Sequence, residues 1–469
     1  MRVTTNMVYS QSLLGMKTNN SKMFTAMNQA TSGLRVVNPS DDPLAATLAL
    51  GVNQNKTINM EFMGNQSAVD ASLRNVETQL NDIVGVLHRL RDRLIEAGDG
   101  AYQDIDVQTL SYDMRQMMDE MLGLSNSKDD QGSYLFSGYQ AALQPFVKSR
   151  DAAGNTIINY YGDQGERLLQ VGPNRYMPMT YSGDDLFISI PTGNTYFQAL
   201  DDPTNRGSGV ISPVGITDPT KWNNPANSKD YSIVFGVDWT TLQPDGPVYK
   251  YDIIDNVSGN SMLTGLPPTG TPDDPDNPTA YWRTFEPGDE IVFHDLPGET
   301  AGPWDYGFAV KIDGQPDAYT LDGGITYISD TFTITEANPQ STFDTLLNLL
   351  GSLDSPRNTL SDPTPWNPNP TLNGNTPYVN AITQALQNID HALDRALKVQ
   401  TEIGTHLREV EALSSNGADV NLIYTENISN YVSADYADSM TDFSKFKLAL
   451  QISQQTFAQI SNLSVFNFI

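Results

Sequence analysis

The apolar residues near both ends of the chain recur in alternating steps of four and three. This spacing is typical of helices that pair along a narrow seam rather than lie on a broad core. In residues 5–34 the seam contains Tyr9, Leu13, Met16, Met23, Met27, Ala30 and Leu34. In residues 436–469 it contains Met440, Phe443, Phe446, Leu450, Phe457, Ile460, Leu463 and Phe466. The pattern predicts that the two terminal helices pack together, or against copies of themselves.

Asn20 is the one polar residue in the first seam. A single polar residue in a coiled-coil seam fixes the register of pairing, because only one alignment satisfies its hydrogen bonds. The sequence therefore predicts that Asn20 sets the register of the first helix.

Longer seams with the same spacing occupy residues 69–94, 110–124 and 382–410. Long helices with narrow seams are typical of antiparallel bundles. The seam in residues 110–124 is rich in methionine, at Met114, Met117 and Met121. Methionine suits either a packed core or an adaptable binding surface, so two readings of this helix stay open.

A turn separates the first helix from the second. Gly33 suits the left-handed position after a helix end. Asp42 suits an N-cap and Pro43 suits the first helical position, where no N–H is needed. The Arg35 side chain is expected to pair with Asp41. On this local chemistry alone, the turn is an ordinary connector between helices.

Composition changes in the middle of the chain. Residues 147–370 hold 24 of the 28 prolines and all five tryptophans, and they carry −19 of the net charge of −29. Proline excludes long helices. Short strands are predicted at residues 157–161, 167–171 and 186–190, and further strands between prolines and glycines follow in residues 191–340. The latter segment is typical of a β-sandwich or barrel.

These patterns together predict an α+β fold. Its N- and C-terminal helices form a coiled coil and an elongated antiparallel helical bundle with β-hairpins, and a β-rich acidic domain is inserted. The expected domains are residues 1–40 with 435–469, residues 41–190 with 341–434, and residues 191–340.

Charge and composition exclude several functions. An excess of 56 acidic over 27 basic residues repels nucleic acid and anionic membranes, so neither is an expected partner. The chain has no cysteine. No run of 18 apolar residues suits a transmembrane helix, and the first residues lack the apolar centre of a secretory signal peptide. Motifs for metal sites, phosphate loops or nucleophilic catalysis are missing, so we expect no cofactor, no metal and no enzyme.

The segment Gln29–Ala46 resembles the flagellin superfamily of bacterial flagellar proteins. Its Ser-Gly-x-Arg and Asp-Asp elements are shared by flagellins, and its Pro-Ser-Asp-Asp-Pro run is similar to the hook–filament junction proteins of that superfamily rather than to filament flagellins. The residues that carry the resemblance are Gly33, Arg35, Pro39, Ser40, Asp41, Asp42 and Pro43. Softer similarity lies in residues 132–138, 182–184, 434–437 and 463–469. Residues 33–43 are called the signature turn below.

The resemblance implies a structural subunit of the extracellular bacterial flagellum, exported through the type III channel without a cleaved signal. Such subunits form a ring of about eleven copies between hook-associated protein 1 and the flagellin filament. An export chaperone holds their C-terminal region. The subunit contacts expected from the terminal helices are Leu13, Met16, Met23, Met27, Leu34, Phe443, Phe446, Leu450, Phe457, Ile460, Leu463 and Phe466.

Two alternatives remain at this point. The first is a filament flagellin with an enlarged surface domain. The second is a glycan-binding adhesin module carried by the insert, since tryptophans in such domains either fill the core or stack on sugars. The tryptophans concerned are Trp222, Trp239, Trp282, Trp304 and Trp366.

Overall fold

A computed structural model describes residues 5–99, 102–225, 227–243, 246–263, 265, 283–294, 305–321, 326–354 and 376–462. The chain divides into two compact units. The first unit comprises residues 1–70, 169–177 and 407–469, and the second comprises residues 71–168 and 178–406. The three-part domain division drawn from the sequence stays a prediction.

Helices form both flanks of the chain, and a β-rich segment lies between them. The fold class is therefore α+β, as predicted. The described helices are α1 Thr5–Ser32, α2 Pro43–Ala97, α3 Asp104–Ser125, α4 Pro219–Trp222, α5 Thr342–Asp354, α6 Thr376–Val432 and α7 Tyr436–Asn462.

Helices α2 and α6 run antiparallel. Within the second unit, the Arg91 Nε donates to Asp390 Oδ1 at 2.7 Å, and the Tyr378 hydroxyl donates to the carbonyl oxygen of Ala97 at 2.6 Å. As the residue number rises along α2, the number of its partner on α6 falls. The antiparallel packing predicted from the seams is confirmed for this pair.

The seams of the bundle are buried, as their spacing predicts. Leu73, Leu80 and Leu94 on α2 have no exposed surface. Met114 and Met121 on α3 are equally buried, so the methionine-rich seam packs in the core rather than forming a binding surface. Burial of each such side chain contributes about 2–3 kcal/mol.

The strands pair antiparallel in every ladder of the described residues. Their bounds are β1 Phe146–Arg150, β2 Thr156–Tyr160, β3 Leu168–Gly172, β4 Arg175–Pro178, β5 Phe197–Asp201, β6 Val210–Ile216, β7 Asp230–Gln243, β8 Gly246–Asp255, β9 Asn260–Ser261, β10 Arg283–Thr284, β11 Glu290–His294, β12 Asp305–Asp313, β13 Ala318–Leu321, β14 Thr326–Ser329 and β15 Thr331–Glu336. The hairpins β1–β2, β3–β4 and β13–β14 stand as separate two-stranded pairs.

Two larger sheets share one core. One sheet has the order β10-β8-β7-β15-β5, with β9 beside β8, and the other has the order β11-β12-β6. Apolar side chains from both sheets fill a single cluster, in which the rings of Phe293 and Phe308 stack at 4.0 Å. Trp222 is 1% exposed and packs on Phe197 and Phe308. This tryptophan therefore fills the core and offers no face to a sugar.

The other four tryptophans named for the adhesin alternative do not test it further. Trp282, Trp304 and Trp366 lie outside the described residues, as does the side chain of Trp239 in β7.

The chain enters and leaves the β-rich segment through one antiparallel ribbon. Ile190 bridges Gln340, and the Thr192 hydroxyl donates to the carbonyl oxygen of Asn338 at 2.9 Å. Strand β5 then pairs with β15 from Phe197 opposite Glu336 onward. The segment that enters the β-rich part and the segment that leaves it therefore lie side by side.

The predicted strand at residues 186–190 is wrong. Asp184–Ile188 forms a π-helical turn, closed by the Ser189 N–H donating to the Asp184 carbonyl at 2.8 Å. Phe187 lies in an aromatic cluster, 5.4 Å from the ring of Phe146. Tertiary packing of this aromatic ring overrides the strand propensity of this run of apolar residues.

Candidate assembly interface

Helices α1 and α7 pack antiparallel in the first unit. The rings of Tyr9 and Phe457 lie 4.8 Å apart, near the start of α1 and the end of α7. Further along, the Asn19 Nδ2 donates to the Ser453 Oγ at 3.1 Å. The terminal helices therefore pair within one chain, as the first of the two arrangements predicted from their seams.

Helix α1 has little stability of its own. Its hydroxyl side chains turn back on the helix, because Thr18, Thr25, Thr31 and Ser32 each donate to the carbonyl four residues earlier. Such bonds slightly destabilise a helix, and its first turn has no acidic residue to favour the macrodipole. An isolated helix of this kind is marginal in water, so α1 depends on α7.

The face of α1 that contacts α7 does not coincide with the apolar stripe formed by the predicted seam residues. It lies to one side of the centre of that stripe. Met16 and Met23 are half-buried, together with Asn19, and Ala26 is 3% exposed. Leu13 is 54% exposed and Met27 is 44% exposed. At about 100° per residue, the covered face is rotated roughly 70° from the centre of the stripe.

The predicted residues of α7 lie on its covered side. Phe443, Phe446, Leu450 and Phe457 are half-buried, and the Lys22 ammonium lies 5.6 Å from the Phe446 ring centre. The side chain of Ile460 and the residues Leu463 and Phe466 lie outside the described part of the chain.

An apolar surface remains on the pair. Leu13, Phe24 and Met27 share one face of α1, since their spacing of eleven and three residues matches whole turns of a helix. Leu448 and Ile452 are exposed on α7, on the side away from Phe446. These five residues are called the exposed row. Leu34, in the signature turn, is also 39% exposed.

Asn19, and not Asn20, is the polar residue of the α1–α7 seam. The structure places Asn20 on the exposed side of α1, whereas Asn19 bonds Ser453 across the pair. The prediction for Asn20 is therefore wrong by one position. Its cause is the rotation of the covered face away from the apolar stripe.

We expect Asn19→Leu to loosen the register of the pair, because the one described hydrogen bond between the two helices is lost. The test uses disulfide formation between Tyr9→Cys and Phe457→Cys, which is free of background because the chain has no cysteine. The yield should fall at least about two-fold, as expected when a register-setting polar contact is removed. The matched variant Asn20→Leu should keep the full yield. Equal yields in both variants would contradict the assignment of Asn19.

The signature turn joins the ends of four helices. Gly33 has φ +71°, and its N–H donates to the carbonyl of Gln29 at 2.9 Å, which ends α1. Its own carbonyl accepts the N–H of Ala434 at 2.9 Å. Leu34 bridges Ser433 between α6 and α7. The turn after α1 and the turn before α7 therefore form one small antiparallel ladder.

The Arg35 guanidinium binds two of these helix ends at once. Its Nη1 donates to Asp42 Oδ2 at 2.9 Å, and its Nη2 donates to the carbonyl oxygen of Tyr431 at 2.7 Å. The predicted pair with Asp41 is wrong, because Asp41 Oδ2 instead accepts the N–H of Asn38 at 2.8 Å. The planar fork of arginine suits two acceptors in fixed directions, which a lysine ammonium does not reproduce.

Asp42 caps α2, as predicted. Its Oδ1 accepts the N–H of Ala45 at 3.1 Å, and Pro43 is the first helical residue. The N–H of Ala45, and after it the Arg35 guanidinium, hold the pKa of Asp42 below its usual value. Helix α7 has a similar cap, since Asp435 Oδ1 accepts the N–H of Ala437 at 2.8 Å.

Two of the other family-like segments, residues 132–138 and 182–184, meet in the second unit. Ser137 bridges Ser182, and the N–H of Gly183 donates to the carbonyl of Phe136 at 3.0 Å. Gly138 has φ +69° and lies so close to Asp163 that an added Cβ would clash with its carboxylate. This arrangement is structural: the small residues allow the backbones to approach.

Candidate chemistry is sparse. The described part of the chain contains no cluster of three histidine, cysteine or acidic side chains arranged to hold a metal ion. Likewise, none of its helices combines the length and apolar character that a membrane crossing requires.

Comparison with known proteins agrees with this geometry. Residues 3–141 match the family model of the bacterial flagellin N-terminal helical region. The chain is 29% identical over 232 residues to the flagellar hook-associated protein 3 of Salmonella typhimurium, a match that covers 49% of this chain and 71% of that protein. It is 28% identical over 190 residues to the same protein of Escherichia coli, covering 40% and 58%. These matches make the chain similar to flagellar hook-associated protein 3, within the flagellin superfamily.

The fold agrees as well. The crystal structure of hook-associated protein 3 from Legionella pneumophila superposes with a TM-score of 0.61, at 23% identity, and covers 81% of this chain and 97% of that chain. Helix α1 and the signature turn lie inside the region that matches the flagellin model. Proteins of the hook-associated protein 3 family are structural, so the expectation that the chain is not an enzyme is confirmed. The family also places the chain in the extracellular flagellum.

The sequence analysis did not identify three residues that make contacts in the candidate interface. Asn19 and Ser453 were hidden because both are small polar residues in helices rich in such residues. Tyr431 contributes its carbonyl oxygen, a group that every residue has, so no side-chain signal could single it out.

Proposed function

We propose that the chain is a junction adaptor that joins hook-associated protein 1 to the flagellin filament. In this proposal the α1–α7 pair and the signature turn make the contacts between subunits. The residues expected in these contacts are Leu13, Met16, Met23, Met27, Leu34, Phe443, Phe446, Leu450, Phe457, Ile460, Leu463 and Phe466.

One observation carries the proposal: the exposed row on the α1–α7 pair. Two helices can bury only the faces that they turn to each other, and Leu13, Phe24 and Met27 remain outside that contact. Exposed apolar side chains that share one helix face, as these three do on α1, are typical of protein interaction sites. Neighbouring subunits would cover the row and supply the burial that the pair lacks.

The same reasoning supports the partners. A closed ring of about eleven copies presents each exposed row to identical neighbours, as cyclic symmetry requires. Before assembly, an export chaperone that covers the C-terminal region would keep the apolar side of α7 out of water. Hook-associated protein 1 and flagellin would then contact the two faces of the ring.

The signature turn has its own role in this proposal. Arg35 links the cap of α2 to the last turn of α6, so it holds the four helix ends in one arrangement. It acts as a positioning residue, because a defined angle at this turn is needed before identical subunits can form a closed ring.

We expect Arg35→Lys to preserve the charge but lose the second acceptor. The N–H groups of Arg35 and Ala434, which bond the neighbouring turn, should exchange with solvent roughly 3- to 10-fold faster because local opening becomes easier. Hydrogen exchange of the full-length chain measures this rate. Arg89→Lys is the control, since Arg89 makes one described ion pair with Glu120. Unchanged exchange in Arg35→Lys would count against the positioning role.

Immunogold labelling of intact flagella tests the function. A junction adaptor gives one zone of label at the hook end and a minor band in sheared flagella. Label along the whole filament, with a major band, would instead identify a filament flagellin with an enlarged surface domain.

A further inference from the structure

A cleft of about 220 Å³ lies in the second unit between α5, the first turns of α6 and the end of β5. One wall is apolar, with Leu349 from α5 and Ala381 and Ala385 from α6. Asp201, the last residue of β5, also lines the cleft.

The carboxylate of Asp201 is poorly satisfied. Besides its own backbone N–H, the described donor to this carboxylate is the Gln384 side-chain amide at 3.4 Å, which is long, and the same nitrogen also donates to the carbonyl of Ala199 at 3.2 Å. Burial raises the pKa of Asp201 to about 7, and the nearby charges of Asp202 and Asp330 add to this effect. Asp201 is half-buried, and a carboxylate in such a place gains from a cationic partner.

The rest of the lining fits a cation with several N–H groups. Gln340, Asn348 and Asn388 place side-chain amides around the cleft, and the contact between Asn388 and Gln340 is long at 3.5 Å. Carboxamide oxygens accept hydrogen bonds from an ammonium group. No lysine, arginine or histidine is among the described residues that line the cleft.

We propose that this cleft binds a primary ammonium group on an aliphatic stem, with the ammonium at Asp201 and the stem along Leu349, Ala381 and Ala385. A lysine side chain of a protein partner and a small free diamine share this chemistry. Among the described residues, the lining offers no aromatic ring on which a sugar could stack.

Methyl-labelled full-length chain tests the proposal, because Leu349, Ala381 and Ala385 carry methyl groups on the cleft wall. Putrescine and Nα-acetyl-lysine N-methylamide are titrated at pH 8, with ionic strength held constant by NaCl. We expect saturable shifts of these methyl signals. Tighter binding of the lysine derivative indicates a protein side chain as the natural ligand, and tighter binding of putrescine indicates a free amine.

Asp201→Asn should weaken binding at least about 10-fold, because the ion pair is replaced by a neutral amide of the same size. The control is Asp289→Asn, which removes the same charge from an exposed turn before β11 and should leave binding unchanged. Lowering the pH from 8 to 5.5 should weaken binding to the unmodified chain about 30-fold, as Asp201 with a pKa of about 7 becomes protonated.

The pH series does not depend on the folding of any variant. Methyl shifts that do not saturate with either probe would overturn the proposal. Equal binding by Asp201→Asn and the unmodified chain, or equal binding at both pH values, would also overturn it.

Discussion

Cells whose only copy of the chain lacks residues 436–469 should have no attached filaments. Without α7, helix α1 loses the contacts at Tyr9 and Asn19 and has too little burial to stay helical alone. Circular dichroism should therefore show a loss of helix close to that of both helices, with 27 residues in α7 and 28 in α1. Electron microscopy of the cells measures filament attachment.

Point variants show whether the seam contacts matter, without the deletion of a whole helix. Phe446→Ala removes a half-buried ring from the α1–α7 pair and should reduce the number of attached filaments. Lys447→Ala changes the neighbouring exposed residue and should leave attachment normal. Filaments on cells with the deletion, or a helix loss equal to α7 alone, would contradict the dependence of α1 on α7.

Asp330→Ala should lower the free energy of unfolding of the second unit by about 3–5 kcal/mol, because it leaves buried N–H groups without an acceptor. Asp330 is 2% exposed, and its carboxylate accepts the N–H groups of Arg206 at 2.7 Å and of Gly207 and Asp317 at 2.9 Å. One side chain thus holds two loops against β15. Urea unfolding followed by tryptophan fluorescence measures the change.

Asp330→Asn should cost less than the alanine variant, since one oxygen remains to accept a hydrogen bond. Burial raises the pKa of Asp330, so the ionised carboxylate already carries a desolvation cost that the neutral amide avoids. Asp289→Ala is the surface control and should change the free energy by less than about 0.5 kcal/mol. A loss in Asp330→Ala no larger than in this control would show that the loops hold without the carboxylate.

Helical periodicity predicted most of the architecture. The seams of α2, α3 and α6 identified residues that are fully buried, because a long helix repeats the same contact many times and one irregular residue changes little. Strands of the insert were also found where the sequence predicted them in residues 191–340, since β-branched and aromatic residues mark them, as in β11, Glu290–His294.

Short segments escaped the sequence because their conformation depends on distant residues. A strand was predicted at residues 186–190, yet Asp184–Ile188 forms a π-helical turn that also receives a hydrogen bond from Arg395 Nε to the Asp185 carbonyl at 3.1 Å. Arg35 had two acidic neighbours in the turn, and spacing alone could not decide between them. The carbonyl of Tyr431, nearly the whole chain away, fixes the guanidinium beside Asp42.

The sequence predicted that the two terminal helices pair, but it did not predict which face of α1 contacts α7. An apolar stripe shows which side of a helix avoids water, but it does not show how that side is divided between an intramolecular partner and other chains. On α1 the partner takes the edge with Asn19 and Ala26, and the centre of the stripe at Leu13 and Met27 stays exposed. The cleft at Asp201 had no sequence signal, since residues 201, 348 and 384 meet only in the folded chain.

The ribbon that carries the chain into and out of the β-rich segment makes that segment a replaceable module. Phe197 and Glu336 are directly paired, so their Cα atoms are about 5 Å apart and a tight hairpin loop could join them. A foreign domain whose termini lie side by side could be grafted at the same place. Evolution can use the same property, changing the inserted segment while the flanking helices stay under their own constraints.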